Sequence, residues 1–241
     1  MSTEMKPIPV NAQDETLVRV QGVTRTYRRG GEEIIVLNGL TLEVPRGDFL
    51  ALMGPSGSGK TTLLNLIGGI DRPDSGTIEF GGKHLEKMND SELARWRSRH
   101  VGFIFQMHHL LPMLTAAGNV ELPLLLTGLP ANERRKRTAA ALKLVGLEDR
   151  ARHKPAELSG GQEQRVGIAR AIVADPDILL CDEPTGDLDR RSGDAVLDLL
   201  QTLNRDYGKT VMMVTHDPHA AARADRTLYF NRGVLALEPE T

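Results

Sequence analysis

The sequence predicts an α/β fold in which a mostly parallel sheet is covered by helices on both faces. Short apolar segments alternate with longer segments of helical composition, which is typical of parallel strands that are buried on both sides. From about Thr115 to Pro155, Leu and Ala are frequent, β-branched residues are few, and Pro and Gly separate the helical runs. This stretch predicts a small α-helical subdomain inserted into the core.

The first elements along the chain are predicted strands. Leu17–Val23 alternates like a strand, and Ile34–Val44, beyond a Gly30-Gly31 turn, has apolar positions that suit a paired strand. We therefore expect an antiparallel β subdomain here. The buried strand Phe49–Met53 follows, and a glycine-rich loop leads into a helix that ends at Gly68-Gly69. The later predicted elements are the strands Thr77–Phe80 and Val101–Phe105, the helix Gln162–Ala174, the strand Ile178–Cys181, the helix Arg191–Asn204, the strand Thr210–Val214 and a hairpin near Tyr229–Leu235.

Composition excludes several classes of protein. The 241 residues carry 30 Lys+Arg and 32 Asp+Glu, a net charge of −2, whereas a protein that holds nucleic-acid phosphates over a wide face is usually basic. Direct nucleic-acid binding is therefore not expected. The single cysteine, Cys181, excludes an internal disulfide framework and a Cys-rich zinc site, and fits a reducing compartment.

No segment of the sequence is long enough to cross a bilayer. The longest apolar run, near Leu122–Leu126, is far short of the ~20 residues that a membrane-spanning helix needs. Residues 1–15 are polar and lack the apolar core of a secretory signal. We expect a disordered leader over residues 1–16, a single domain over residues 17–241, and a cytoplasmic location.

A phosphate-binding loop is predicted between the strand Phe49–Met53 and the following helix. Its glycines let successive backbone N–H groups converge on a phosphate, and the helix N-terminus adds its positive dipole end. Lys60 would contact the β- and γ-phosphates of a nucleotide, and the Thr61 hydroxyl would bind Mg²⁺. The alternative, a chance glycine turn before a helix, does not explain the whole pattern in its correct context. The binding residues are Gly54, Pro55, Ser56, Gly57, Ser58, Gly59, Lys60, Thr61 and Thr62.

Two carboxylates follow the predicted strand Ile178–Cys181. Ligands of parallel sheets gather at the carboxyl ends of the strands, so these side chains are expected to face the phosphate loop. Asp182 would hold Mg²⁺, and Glu183 would act as general base toward the attacking water. The alternative is a solvated strand end. The pair predicts hydrolysis as well as binding.

A second phosphate-binding helix start lies at Leu158-Ser-Gly-Gly-Gln162. An exposed helix N-terminus of small residues with a Ser hydroxyl can bind an anion, although Ser159 is also an ordinary helix cap. The run from Leu158 to Ile172 resembles the signature of ABC ATPases.

This resemblance implies the ABC ATPase fold, a P-loop NTPase core with a helical subdomain inserted over about residues 107–160. It also implies a head-to-tail homodimer in which two ATP molecules, with Mg²⁺, lie between the two copies. Ser159 and Gly161, with Gly160 and Gln162, then act in trans on the partner's γ-phosphate.

Four further positions match motifs of the family. Gln106 matches the Q-loop, which senses Mg²⁺ and the γ-phosphate, and Gly186–Asp189 resembles the D-loop at the dimer interface. Asp187 departs from the Asn or Ala that relatives more often carry. His216 matches the switch histidine of the γ-phosphate, and Tyr27 matches the aromatic residue that stacks on adenine. Each of three residues also has a simpler interpretation, which stays open. Gln106 could be an exposed loop amide, His216 an ordinary polar histidine, and Tyr27 a residue that packs at the strand edge.

Within the family, several runs resemble the lipoprotein-release and macrolide-export branch, the LolD and MacB group. They are Leu63–Pro73, Phe103–Gln106, Asn119–Leu125 and Asp182–Gly186. The resemblance implies export of macrolide-type or peptide-type cargo, or lipoprotein release. By this resemblance we expect a separate transmembrane permease as the partner, with the chain meeting the membrane only through it, at the cytoplasmic face. The permease is expected to dock near Gln106–Glu121, where Gly118 replaces the Glu of most relatives.

Two other functions stay open at this point. One is a cell-division ATPase of the FtsE kind, and the other is a non-transport ABC ATPase, which the single cysteine and the absence of long heptad arms disfavour. Trp96 is interpreted as a packing residue, and the basic run Arg134–Arg137 as the solvated face of a helix. His108 and His109 are adjacent and cannot share one helix face, so we predict no metal site there.

Overall fold

The computed structural model describes residues 16–231 and 233–236, so the predicted leader over residues 1–16 falls almost wholly outside the described residues. The chain divides into two compact units, which are described separately. Unit A comprises the described residues of 9–97 and 210–241, and unit B comprises residues 98–209. In the described residues, no helix combines the length and the apolar character that a membrane span requires.

Ten strands and seven α-helices are assigned within the described residues. In chain order they are β1 (Thr16–Arg29), β2 (Glu32–Pro45), β3 (Phe49–Met53), α1 (Lys60–Ile67), β4 (Ser75–Phe80), β5 (Lys83–His84), α2 (Asp90–His100), β6 (Val101–Phe105), α3 (Ala116–Glu121), α4 (Ala131–Leu144), α5 (Gly160–Ile172), β7 (Ile178–Asp182), α6 (Arg190–Arg205), β8 (Thr210–Thr215), α7 (Pro218–Ala221), β9 (Arg226–Asn231) and β10 (Val234–Ala236). Short 3₁₀-helices occupy Leu85–Lys87, Leu122–Leu126, Glu148–Arg150 and Pro155–Glu157.

Unit A contains an antiparallel sheet in the order β2-β1-β4-β5. Val20 of β1 lies opposite Leu42 of β2 on one side and Ile78 of β4 on the other, and all three side chains are buried. Alternate apolar residues thus form one buried face of a sheet whose other face is polar. The predicted antiparallel β element is confirmed.

A parallel arrangement forms the second sheet of unit A. Strand β3 lies between β8 and β9 and runs parallel to both, while β10 pairs antiparallel with β9. All six residues of β8 and the first four of β3 are buried, which explains their continuous apolar sequences. The α/β character predicted from these runs is confirmed.

Helix α2 was not predicted from the sequence. Only two of its eleven side chains, Leu93 and Trp96, are buried, so it has little of the apolar periodicity that marks a helix. Trp96 meets Phe80 edge-to-face at 5.0 Å between ring centroids, which confirms its interpretation as a packing residue. Gly69 is needed beside it, because a Cβ atom there would lie 2.8 Å from Leu93 Cδ1.

Unit B combines a parallel strand pair with helices. Strands β6 and β7 pair in register from Val101 opposite Ile178 to Phe105 opposite Asp182. Helix α5 packs closely on β6, since a Cβ atom at Gly102 would lie 2.5 Å from the Ala171 carbonyl oxygen. Between β6 and β7, the regular elements are α-helices and 3₁₀-helices.

One buried amide organises the segment that precedes α3. Asn119 is fully buried, and its Nδ2 donates to the carbonyl oxygens of Leu111 at 3.1 Å, Leu114 at 3.3 Å and Thr115 at 3.1 Å. Its Oδ1 accepts from the Leu111 N–H at 2.7 Å. The Thr115 hydroxyl caps α3 by accepting from the Gly118 N–H at 3.1 Å. Residues 111–115 therefore take one defined conformation without regular secondary structure.

Asn119→Ala should destabilise unit B by about 2–3 kcal/mol, because it removes the four hydrogen bonds that the buried amide makes to the backbone of residues 111–115. Chemical denaturation would measure the loss, and hydrogen exchange should show faster exchange at Leu111. The exposed Asn132 serves as the control, since Asn132→Ala should change stability by only about 0.5 kcal/mol. Equal effects of the two substitutions would contradict this role for Asn119.

Candidate functional site

The predicted phosphate loop of unit A connects β3 to α1. Gly57 and Gly59 have φ values of +77° and +110°, the left-handed region that glycine enters without strain. At Gly59 a Cβ atom would also lie 2.8 Å from the Val36 carbonyl oxygen. The loop therefore lies tightly against β2, and only glycine fits at its junction with α1. Pro55, Ser56, Gly57 and Thr61 are exposed, whereas Ser58, Gly59 and Lys60 are buried.

Lys60 is only 5% exposed although it carries a charge. Its Nζ donates to the carbonyl oxygens of Gly54 and Pro55, both at 2.8 Å, and to Ser58 Oγ at 3.3 Å. Helix α1 begins without a side-chain cap and has no acidic residue in its first turn, so its N-terminal dipole adds to the same positive potential. These hydrogen bonds hold the Lys60 ammonium against the phosphate loop, at the start of the helix where an anion is favoured.

The pairing of β3 with β8 places His216 beside the phosphate loop. Met53 of β3 lies opposite Thr215 of β8 in parallel pairing, so Gly54 and His216 both follow at the same edge of the sheet. The two residues line one cavity of about 460 Å³, together with Pro55, Tyr229 and Asn231. His216 is exposed and immediately follows a wholly buried strand.

Tyr27 has a fixed ring with an accessible surface. Its hydroxyl donates to Asp71 Oδ2 at 2.7 Å, and the Arg25 guanidinium lies 4.7 Å from the ring centroid. Arg25 also pairs with Asp71 and Asp74. The side chain is still 37% exposed, so the ring can receive a planar group on the face that Arg25 does not cover.

In unit B the ends of β6 and β7 place three polar residues at one edge. Phe105, the last residue of β6, lies opposite Asp182, the last residue of β7. Gln106 and Glu183 directly follow these two strands, so the three polar residues at this edge are Gln106, Asp182 and Glu183. Glu183 adopts φ +47°, an uncommon conformation for a residue with a side chain. Such backbone strain concentrates at functional sites, where it directs a side chain.

Gln164 is a residue of this edge that the sequence reasoning missed. It is buried, and its Nε2 donates to the carbonyl oxygens of Phe105 at 3.2 Å and Pro184 at 2.6 Å. It thus fixes the residues beside Gln106 and Glu183. The available signal was a Gln among the apolar positions of α5, which indicates a buried amide.

Gln106 and Asp187 are in direct contact. Gln106 Nε2 donates to Asp187 Oδ1 at 3.0 Å. A Cβ atom at Gly186 would also lie 3.0 Å from Gln106 Nε2, so the absence of a side chain at Gly186 lets the amide approach closely. The structure joins the predicted Q-loop and D-loop positions in one cluster.

The Ser159 turn has the geometry of a capping box at the start of α5. Ser159 Oγ accepts from the Gln162 N–H at 3.3 Å, and Gln162 Oε1 accepts from the Ser159 N–H at 2.9 Å. The helix-cap interpretation is therefore correct as a description of the isolated chain. Ser159 and Gly160 are nevertheless exposed, and the hydroxyl proton of Ser159 can still be donated to an anion.

Asp189 caps α6 in a similar way. Its carboxylate accepts from the Ser192 N–H at 3.0 Å and from the Ser192 hydroxyl at 2.7 Å, and these hydrogen bonds hold the pKa of Asp189 below its usual value. Ser192 in turn abuts the Ser159 turn, because a Cβ atom at Gly161 would lie 2.8 Å from Ser192 Oγ. The starts of α5 and α6 are thus adjacent.

The described residues contain no group of three or more His, Cys, Asp or Glu side chains placed to hold a metal ion. Thr61, Gln106 and Asp182 offer a hydroxyl, an amide and a carboxylate oxygen, the donor types that Mg²⁺ prefers. Mg²⁺ commonly binds through one or two such groups together with substrate phosphates, so each of these side chains, taken within its own unit, is chemically suited to that ion. Cys181 is fully buried, and burial raises the pKa of its thiol, which disfavours the reactive thiolate form.

The two adjacent histidines have different surroundings. His108 Nδ1 lies 3.3 Å from Glu163 Oε2, and burial lowers the pKa of His108. His109 has φ +47°, and its ring meets Phe105 edge-to-face at 5.2 Å. Arg170 donates to both backbone carbonyl oxygens at 2.7 Å, so it fixes this turn of the chain.

Comparison with known proteins places these features in context. A family model described as ABC transporter matches residues 37–186 of the chain. The matched range contains the phosphate loop, Gln106, the Ser159 turn and the Asp182-Glu183 pair.

Curated relatives match nearly the whole chain. The lipoprotein-releasing system ATP-binding protein LolD of Chromohalobacter salexigens is 45% identical over 228 residues, which are 95% of this chain and 96% of that protein. The macrolide export ATP-binding/permease protein MacB 1/2 of Paracoccus denitrificans is 48% identical over 225 residues. That match covers 93% of this chain but only 34% of the longer relative.

A solved structure resembles this fold closely. It is described as the dimeric structure of a post-hydrolysis state of the ATP-binding cassette MJ0796 bound to ADP and Pi, and it matches with a TM-score of 0.84 at 42% identity. The match covers 93% of this chain and 100% of that chain. The protein MJ0796 comes from Methanocaldococcus jannaschii.

Proposed function

The chain belongs to the ABC transporter family, and we propose that it is an ATP-hydrolysing subunit that pairs with a second copy and drives a separate membrane permease. The matches confirm the ABC ATPase fold and the LolD and MacB branch predicted from the sequence. One observation carries the proposal. The chain presents two anion-binding helix starts, the phosphate loop with Lys60 and the exposed Ser159 turn.

ATP binding is assigned to unit A. The Lys60 ammonium, already enclosed by loop carbonyl oxygens, exchanges those partners for β- and γ-phosphate oxygens. Thr61 and Thr62 complete the cradle at the start of α1. The exposed ring of Tyr27 stacks on adenine, and His216 donates to the γ-phosphate from the adjacent strand end.

Hydrolysis is assigned to the carboxylates of unit B. Glu183 accepts a proton from the attacking water, and its left-handed backbone directs the carboxylate for that purpose. Asp182, Thr61 and Gln106 are the residues that would hold Mg²⁺. Bound Mg²⁺ supplies charge neutralisation at the β- and γ-phosphate oxygens.

The second copy completes each site. Ser159 and Gly160 are exposed at the start of a thirteen-residue helix, where a γ-phosphate held by another copy can reach them. The dimer bound to ADP and Pi that was solved for MJ0796 supports this pairing. ATP then stabilises the dimer, and hydrolysis weakens it, so the difference in dimer affinity is the work available to the permease.

The permease contacts the run from Gln106 to Glu121, which includes the segment that Asn119 organises. Met107 is 68% exposed, Met113 is 76% exposed, and Leu111 is also exposed. Exposed methionines offer adaptable apolar contacts, on which a permease helix lying at the inner face of the membrane can dock. Lipoproteins, macrolides or peptides are the cargo classes that the LolD and MacB relatives suggest.

Glu183→Gln should retain ATP binding and slow hydrolysis by roughly 10²–10⁴, because an amide cannot accept the proton from water. ATP should then hold the variant as a dimer, seen as an earlier peak in size-exclusion chromatography. The exposed Glu148 is a matched control, and Glu148→Gln should turn over normally. Near-normal hydrolysis by Glu183→Gln would remove Glu183 from its role.

Lys60→Ala and Lys60→Met should both weaken ATP binding by about tenfold or more, since a hydrogen bond to a charged group contributes roughly 1.5–3 kcal/mol. The Met variant keeps most of the side-chain volume in this buried position. Binding is measured with a fluorescent ATP analogue, and Lys83→Met, at an exposed position, is the control. Unchanged affinity in a folded Lys60→Met protein argues against the phosphate role.

A photoreactive amino acid at position 107 or 113 should capture a membrane protein from native membranes, because both side chains project from the proposed docking surface. The same amino acid at Ile70, an exposed apolar residue of unit A, is the control. Mass spectrometry identifies the captured protein. Capture from position 70 alone would place the docking surface elsewhere.

A further inference from the structure

Asp187 is the residue of the D-loop position that the sequence left unexplained, and its contact with Gln106 is specific. The donor is Gln106 Nε2 and the acceptor is Asp187 Oδ1, 3.0 Å away. The two residues are 81 positions apart in the sequence, so this hydrogen bond ties two separate loops together.

The chemistry of the two groups determines the direction of this hydrogen bond. A side-chain amide has a donor end and an acceptor end, whereas a carboxylate only accepts. With a carboxylate at position 187, the amide must present Nε2 to it, and Oε1 then faces the opposite way. An asparagine could bond to either end of the amide, and an alanine to neither. The charge also makes this hydrogen bond stronger than one between neutral groups.

The same loop carries the proposed general base. The Gly186 N–H donates to the Glu183 carbonyl oxygen at 3.1 Å, which closes a turn from Glu183 to Gly186. Gly186 also has no side chain to push Gln106 away. Asp187 therefore anchors the Gln106 amide to the turn that begins at Glu183.

Asp187 has a second neighbour that offers a competing explanation. Its charge, together with the larger effect of Glu163, favours the protonated form of His108, whereas burial opposes that form more strongly. If Asp187 acted mainly on His108, replacing His108 would reproduce the effect of replacing Asp187. The hydrogen bond at 3.0 Å to Gln106 favours the amide as its target.

We propose that Asp187 is a positioning residue that fixes the Gln106 side-chain amide in one orientation, with Nε2 held and Oε1 directed away from the carboxylate. The proposal rests on the function assigned above, in which Gln106 would hold Mg²⁺ through its amide oxygen. An oxygen that is fixed in place needs no reorientation when ATP binds, and such preorganisation accelerates the chemical step.

A double-mutant cycle tests the functional half of the proposal. Asp187→Ala should lower kcat roughly tenfold, the change that about 1.4 kcal/mol produces, with little change in KM for ATP. In a Gln106→Ala background the same substitution should have almost no further effect. Asp187→Asn should recover part of the activity. His108→Gln should combine additively with Asp187→Ala in the otherwise unchanged chain.

Equal effects of Asp187→Ala in the presence and absence of Gln106 would overturn the proposal. The proposal would also be overturned if the effect of Asp187→Ala on kcat were non-additive with that of His108→Gln and additive with that of Gln106→Ala.

The orientation itself is measured without any activity. In a ¹H–¹⁵N spectrum, the Gln106 side-chain amide is identified by its loss in Gln106→Ala. Its hydrogen-bonded proton should exchange with solvent at least about tenfold faster in Asp187→Ala, because a charge-assisted bond is lost. Unchanged exchange would refute the positioning role. A different result would separate the two claims. If exchange is slower in the native chain than in Asp187→Ala but Gln106→Ala is fully active, Asp187 keeps its positioning role and only the assigned function of Gln106 is refuted.

Discussion

The register of two parallel strand pairs determines which side chains can act together in this protein. In unit A, Met53 lies opposite Thr215, and in unit B, Phe105 lies opposite Asp182. The next residue on each strand is a proposed functional residue or the start of the phosphate loop. A slip by one residue would turn every side chain of the slipped strand to the other face of its sheet. Complete burial of β8, and of all of β7 except its last residue, opposes such a slip.

Close packing at two glycines fixes the positions of the loops that follow these strands. The phosphate loop abuts β2 at Gly59, and the turn after Glu183 abuts Gln106 at Gly186. A side chain at Gly59 would force the loop outward, and one at Gly186 would displace the Gln106 side chain. Lys60 and Gln106 therefore take up their positions before any ligand arrives, each with hydrogen bonds already made within the chain.

Local sequence patterns were sufficient for most strands, for the loop between β3 and α1 and for the starts of α1 and α5, because each depends on residues within a few positions of one another. Helix α2 was missed because its sequence is polar almost throughout. Gln164 and the contact between Gln106 and Asp187 were missed for a different reason. They join residues that are 59 and 81 positions apart, and no periodicity of the sequence encodes such a pair. The helix-cap role of Ser159 and its proposed role toward a phosphate turned out to be compatible, since one hydroxyl oxygen can accept from the backbone and still donate.

The central claim is that the Ser159 turn of one copy closes on the ATP held by another. Cross-linking between two variants that each carry one added cysteine, Ser56→Cys and Ser159→Cys, measures this directly in the Glu183→Gln background. Both positions are exposed, whereas the native Cys181 is fully buried. With a short thiol-specific linker, a mixture of the two variants should give a product of twice the chain mass only when ATP is present. Failure to form that product, while both variants bind ATP, would contradict the account.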